Sequence, residues 1–305
     1  MTYTGKITTA LTDDGSARVI FADTTGIVAR AAEIHRPSKT VTAALGRCLT
    51  AAAVMGSTLK DEEGSLTLRV SGGGPAGSFV CVSDSHGNVR CCCDEPTAEL
   101  PPNALGKLDV GGVVGKSGDL YVVRDYGFGE PYVGHTALVS GEIAEDVTNY
   151  YAVSEQTPTV CALGVRVDRS GGVTGAGGYL LQLLPGADED IIPLLQANVD
   201  SVPSLSALIA AGSSASDIIA LLLSGTPYSL LDSHEISYRC SCSREKYRSA
   251  IKKHGVRELR DMRDSGEEAE IICRFCGARH VFLPQELSDM YDERVTELRQ
   301  ARENR

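Results

Sequence analysis

Ten cysteines are the residues of this chain best suited to chemistry. Four of them, Cys240, Cys242, Cys273 and Cys276, fall within 37 residues as Cys-Ser-Cys, a thirty-residue gap and Cys-Arg-Phe-Cys. Two thiolates close in sequence let one local turn supply two ligands, and two such pairs make the closed tetrahedral set of a structural zinc site. The spacing predicts one Zn2+ per chain on these four sulfurs. Arg239, Arg244, Lys246, Arg274 and Arg279 lie close enough in sequence to offset the negative charge of four thiolates. The same cations favour thiolate, the form that oxidants attack. Zinc binding by small modules is worth ~10–16 kcal/mol of folding free energy, so metal loss is expected to unfold this segment. Buried packing cysteines and a metal-free redox dithiol are the other readings of the pattern. His254 and His280 are read as surface or packing residues, since four cysteines already complete a ligand set.

The elements that must position these sulfurs are partly visible. AEIICRFCGARHVF reads as a strand, a Cys-x-x-Cys-Gly knuckle turned at Gly277, and a returning strand. Ser243-Arg-Glu-Lys-Tyr after the first pair reads as a helix start. Upstream, alternation predicts strands at 6–10, 17–22, 65–71, 78–83, 88–93 and 120–126, with a turn at Asp84-Ser-His-Gly-Asn. Val41, Leu45, Cys48, Leu49, Ala52, Met55 and Leu59 form one helical face, capped by Ser38 or Thr40. A second helix is expected from Glu142 to about Ser154 under a Ser140 cap, burying Ile143, Val147 and Tyr150 or Tyr151. A hairpin follows at 160–168 and 173–184. From Asp188 to about Ser233 the pattern is one of short helices, broken at Pro203, Gly212, Gly225 and Pro227. Such helices are too short to stand alone.

The fold class is therefore α+β, with length for about two domains. Charge divides the chain as well. Residues 236–305 hold 15 Lys/Arg against 13 Asp/Glu, whereas the remainder holds 14 against 27, within a total of −11. We expect an α/β core over 1–185, a metastable helical linker over 186–235 and a zinc-binding module over 236–305. A net charge of −11, 5% aromatic residues and no Trp argue against a chain built as a whole to hold a polyanion. The most apolar stretch, 204–223, is interrupted by Gly212, a run of serines and Asp217, so no membrane span is expected. The N-terminal residues lack an apolar secretory region, and the expectation is a cytoplasmic chain.

The runs PYVGHTALVSGEIAEDVTNYYAVSEQTPTVCALGV and GGYLLQLLPGADEDII, followed by CSCSREK and CRFCG, resemble the heat-shock protein 33 family of redox-regulated chaperones over about 2–298. The resemblance implies an ATP-independent holdase that is inactive when reduced and zinc-bound. Oxidation would form disulfides between Cys273 and Cys276, then between Cys240 and Cys242, with zinc release and melting of the linker. The activated form would bind unfolding client proteins, protect them from oxidative and heat aggregation, and dimerise through the core domain.

Cys48, Cys81, Cys91, Cys92, Cys93 and Cys161 are no part of that switch and are read as packing residues. An enzyme is not expected. The glycine clusters at 71–75 and 175–178 lack nucleotide-loop spacing, no Gly-x-Ser-x-Gly occurs, and Ser57-x-x-Lys60 and Ser243-x-x-Lys246 have no companion motifs. A zinc ribbon acting in regulation or nucleic-acid binding is the alternative, although its basic excess is small and interleaved with acids, so no specific nucleic-acid partner is expected.

Overall fold

The computed structural model describes Tyr3 to Glu303; residues 1–2 and 304–305, at the ends of the expected outer segments, lie outside the described residues. The chain divides into two compact units, one ending at Arg239 and one beginning at Cys240. The first unit begins with β1 (Thr4–Thr12), β2 (Ala17–Asp23), α1 (Thr25–His35), α2 (Lys39–Gly56), β3 (Ser65–Ser71), β4 (Ser78–Asp84) and β5 (Val89–Cys93). It continues through α3 (Val110–Val114), β6 (Asp119–Asp125), β7 (Tyr132–Ala137), α4 (Ala144–Val153), β8 (Thr159–Val167) and β9 (Val173–Leu183). A short 3-10 turn then leads to α5 (Ile192–Ser201), α6 (Leu205–Ala210), α7 (Ala215–Leu222) and β10 (Tyr228–Ser237).

These strands form two five-stranded antiparallel sheets, ordered β10-β1-β2-β9-β8 and β5-β4-β3-β6-β7. The main core contains α2 and strands of both sheets, and α2 contacts β8 and β9 of one and β3, β4 and β5 of the other. Burial on all sides explains why its Ala-rich sequence leaves only Lys39 and Arg47 incompletely buried. Ser38 caps it, accepting from the Val41 amide at 3.1 Å. The first sheet is covered on both faces. Ile20 and Ala22 of β2 enter the main core, whereas Ala17, Val19 and Phe21 join Tyr179 and Leu181 beneath α5, α6 and α7. Alternation along one strand thus serves two cores.

The expected strands and α2 are present with small shifts at their ends. α4 differs at its start. It begins at Ala144, two residues late, because Asp146 accepts from the Ile143 amide at 2.9 Å and closes the turn. Ser140 accepts from the Glu142 amide at 3.2 Å instead of capping the helix. The expected apolar face is buried, with Ile143, Val147, Tyr150 and Tyr151 all in the main core. The helical pattern after Asp188 ends at Leu222, not near Ser233. Residues 228–237 are a strand because β1 offers them an antiparallel ladder from Thr12↔Tyr228 to Thr4↔Ser237, interrupted by a bulge at Leu231 where the register shifts between Thr9 and Ala10.

The second unit contains α8 (Arg244–Lys252), α9 (Val256–Ser265), β11 (Ala269–Ile272), β12 (Arg279–Phe282) and α10 (Pro284–Glu303). Its buried apolar cluster is small: Ile251, Leu259, Phe282, Leu287 and Met290. Ion pairs join α8 to the last helix, with Arg248 and Lys252 on Glu293 at 2.6 and 2.8 Å and Lys252 on Glu297 at 2.7 Å. No helix among the described residues is long and apolar enough to cross a membrane.

Candidate metal centre

The hairpin of β11 and β12 has Ile272 opposite Arg279, which leaves Cys273 to Ala278 as its connecting loop. Within that loop the Cys273 amide donates to the Ala278 carbonyl at 2.9 Å and the Gly277 amide to the Cys273 carbonyl at 2.8 Å. Gly277 takes φ +71°, a conformation that a side chain would strain. These bonds fold Cys273 and Cys276 into one knuckle. Cys240 and Cys242 lie on the extended segment before α8, whose Ser243 cap accepts from the Lys246 amide at 3.2 Å. Lys246 Nζ donates to the Ser241 carbonyl at 2.7 Å, tying the Cys-Ser-Cys segment to the first helical turn.

The four Sγ atoms all lie within 4.8 Å of one another. Cys240 approaches Cys273 at 3.7 Å, and Cys242 approaches Cys276 at 3.4 Å. A tetrahedral ion with sulfur ligands at ~2.3 Å requires sulfur separations of about 3.8 Å. The donor set and its spacing therefore fit a metal ion. Cys273 is buried and the other three are half-buried, which suits a closed structural site.

Tyr247, on the first turn of α8, is the residue that motif spacing did not reveal. Burial pushes the Cys273 thiol up, but hydrogen bonds from the Tyr247 hydroxyl, the Phe275 and Cys276 amides and the Cys276 thiol outweigh it and bring Cys273 down to about 6. The bond with Cys273 in turn raises the Tyr247 hydroxyl above its ordinary value. Burial and neighbouring thiols raise Cys242, and burial raises Cys240 against an opposing bond from the Cys242 amide. The sulfurs are thus unequal, with Cys273 the most readily ionised of the three. His280 stands 4.8 Å from the Tyr247 ring and His254 is exposed, in keeping with packing and surface roles. Two of the cations expected to offset the thiolates are engaged elsewhere: Arg244 pairs with Glu286 at 2.7 Å and Arg279 with Glu270 at 2.6 Å. The six remaining cysteines are all buried in the first unit, as the packing reading expects.

Fold and site together define an α+β body followed by a compact four-thiol module competent to hold a metal. The Hsp33 protein family model matches residues 5–283. A 33 kDa chaperonin of Clostridium botulinum is 41% identical over 292 residues, covering 96% of this chain and 99% of that protein. One from Clostridium acetobutylicum is 40% identical over 286 residues, covering 93% and 96%. The crystal structure of the 33 kDa chaperonin (heat shock protein 33 homolog) from Thermotoga maritima aligns at a TM-score of 0.86 and 33% identity, over 96% of this chain and 99% of its own. The chain belongs to the Hsp33 family of chaperones.

Proposed function

We propose that this protein is a redox-regulated, ATP-independent holdase whose sensor is Cys240, Cys242, Cys273 and Cys276 around one Zn2+. The observation that carries the reading is the convergence of four sulfurs within 4.8 Å in a unit with only a small apolar cluster of its own. Bound zinc supplies a cross-link between the two cysteine pairs and holds their sulfurs as thiolates. Cys273 and Cys276, on the knuckle between β11 and β12, form the pair that reacts first with peroxide or hypochlorite. Oxidation joins Cys273 to Cys276 and Cys240 to Cys242, each disulfide returning two electrons to the oxidant, and the metal is released. The reduced resting state needs a compartment that keeps thiols reduced, such as the cytoplasm.

The apolar surface offered to clients is the outer face of the first sheet, where Val19, Phe21, Tyr179 and Leu181 lie under α5, α6 and α7. That cover is marginal. α5 buries only Leu195 and leaves Ile192 and Leu194 about two-fifths exposed, and a groove of 280 Å³ remains between it and β8 and β9. Residues 186–227 thus act as the meltable linker, and the body before them as the client-binding and dimerising part.

The test uses the full chain. Reduced protein is expected to contain one zinc and to leave an unfolding client free to aggregate. After peroxide with mild heating, zinc is released, the four thiols are lost and aggregation is suppressed. Equal suppression by the reduced form would overturn the reading. Tight, strongly salt-dependent nucleic-acid binding would favour a ribbon instead.

A further inference from the structure

The first unit contains a second group of thiols that the four-cysteine centre does not use. On β4 and β5, Cys81 stands directly opposite Cys91. The Asp84 amide donates to the Asn88 carbonyl at 3.0 Å, and the Asp94 amide to the Ser78 carbonyl at 3.2 Å. Bonded and non-bonded pairs alternate along an antiparallel ladder. Counting inward from either contact makes Cys81 and Cys91 a non-hydrogen-bonded pair, whose Cα atoms stand about 4.5 Å apart with their side chains at closest approach. That separation lies inside the ~4.4–6.8 Å range that a disulfide spans. Both side chains are fully buried, and Cys48 of α2 hydrogen-bonds to Cys81.

A short strap closes this site. β5 is the outer strand of its sheet, and residues 237–239 lie along its open edge. The Arg239 amide donates to the Val89 carbonyl at 2.9 Å, and the Ser237 amide to Asn88 Oδ1 at 2.8 Å. Between them, the Tyr238 hydroxyl accepts from the Cys91 amide at 3.3 Å and donates to the Cys91 carbonyl at 3.1 Å. It also stands 3.2 Å from His35 Nε2. One hydroxyl thus satisfies both outward backbone groups of the cysteine behind it.

We propose that Cys81 and Cys91 are a second dithiol site, which a hydroperoxide converts to a cross-strand disulfide when the 237–239 strap lifts from β5. Cys91 is the attacking sulfur. Burial pushes its thiol up, but hydrogen bonds from Cys81, His35 and Tyr238 and the charge of His35 bring it down to about 6. Cys81 is held well above its ordinary value by burial and by the neighbouring Cys48 and Cys91 thiols. The Cys91 sulfur attacks the O–O bond, becomes a sulfenic acid and releases the alcohol or water, which takes up the Cys91 proton. Cys81 then attacks that sulfur; the S–S bond forms, the S–O bond breaks, and the hydroxyl leaves as water with the Cys81 proton. Two thiols lose two electrons, and one peroxide gains them. The site stands on strand register and strap contacts, independently of how the four-cysteine centre acts.

Arg90 lies between the two cysteines, so trypsin separates them and a disulfide appears as peptide 70–90 joined to peptide 91–107. Full-length protein treated with hydrogen peroxide under non-denaturing conditions is expected to yield this joined pair, linked through Cys91 and absent from Cys81→Ser. Tyr238→Phe removes the hydroxyl's two backbone bonds to Cys91 and its 4.0 Å contact with the thiol. Because release of the strap outweighs the lost thiol contact, it is expected to speed the linkage about tenfold, with alkylation of buried Cys161 unchanged. Recovery of Cys81 and Cys91 as thiols after Cys273 and Cys276 are oxidised overturns the proposal, as does linkage through Cys92 or Cys93. An equal acceleration at Cys161 would assign the opening to global unfolding and overturn the strap.

Discussion

Asp146 has no solvent access, and its carboxylate accepts from the amides of Val139, Ser140 and Ile143 at 2.7, 3.0 and 2.9 Å. It holds the turn into α4, where Ile143 sits at φ +71° with its side chain in the main core. Asp146→Ala leaves several buried amides without an acceptor and is expected to cost about 3 kcal/mol in urea unfolding. Asp146→Asn, which keeps one oxygen acceptor, should cost less. The helix itself was legible in sequence, but the reach of Asp146 back to Val139 was not, because it depends on a backbone turn that no side-chain pattern encodes. At the metal centre the four cysteines were legible because their pairs are local. Tyr247 was not, since its partner Cys273 lies across the module and meets it only once the hairpin has docked on α8.

α5, α6 and α7 are elements held mainly by one apolar side each, and the capping box of α7 is one of their few local supports. Ser214 Oγ accepts from the Asp217 amide at 3.2 Å, while the Asp217 carboxylate accepts from the Ser214 amide at 2.8 Å. Ser214→Ala is expected to destabilise this helix by about 1 kcal/mol. In the proposed switch it would then bring on client binding at a lower temperature after oxidation, read as light scattering of an aggregating client; an unchanged threshold would remove α7 from the gate. In the second unit, Leu259→Ala opens a cavity in a small cluster and should cost about 2–5 kcal/mol. Its mark would be faster amide exchange across α8–α10, with no change in α2. Periodicity revealed β2 and α2 because tertiary packing agrees with their local patterns. It missed β10 because nine of its ten residues are partly buried or exposed and only Ile236 is buried, so no alternation marks the strand, and Leu230 and Leu231 are 51% and 58% exposed. β7 was missed for a related reason: its inward positions are Gly134 and Thr136, which carry no strong apolar signal.

Across the whole molecule, charge and paired cysteines change character near residue 236, and the structure divides into two compact units after Arg239. In the second body Arg244, Arg248, Lys252 and Arg279 pair with its own acids Glu286, Glu293, Glu297 and Glu270. Metal removal under reducing conditions is therefore expected to be a local event. A chelator should abolish amide protection in α8–α10 while α2 and β9 keep theirs, and simultaneous loss in both units would show that they unfold together.

The pairing of β1 with β10 joins residues as far apart as Thr8 and Ser233, whose hydroxyls meet at 3.0 Å across 225 positions of sequence. The second sheet is built from one continuous stretch, β3 to β7, and can close as soon as that stretch leaves the ribosome. The first sheet cannot: β2 waits for β9, and β1 waits for β10. Through most of its synthesis, the nascent chain carries unpaired strand edges and the uncovered apolar face of β2. A member of a chaperone family is thus, while being made, the kind of polypeptide that other chaperones protect.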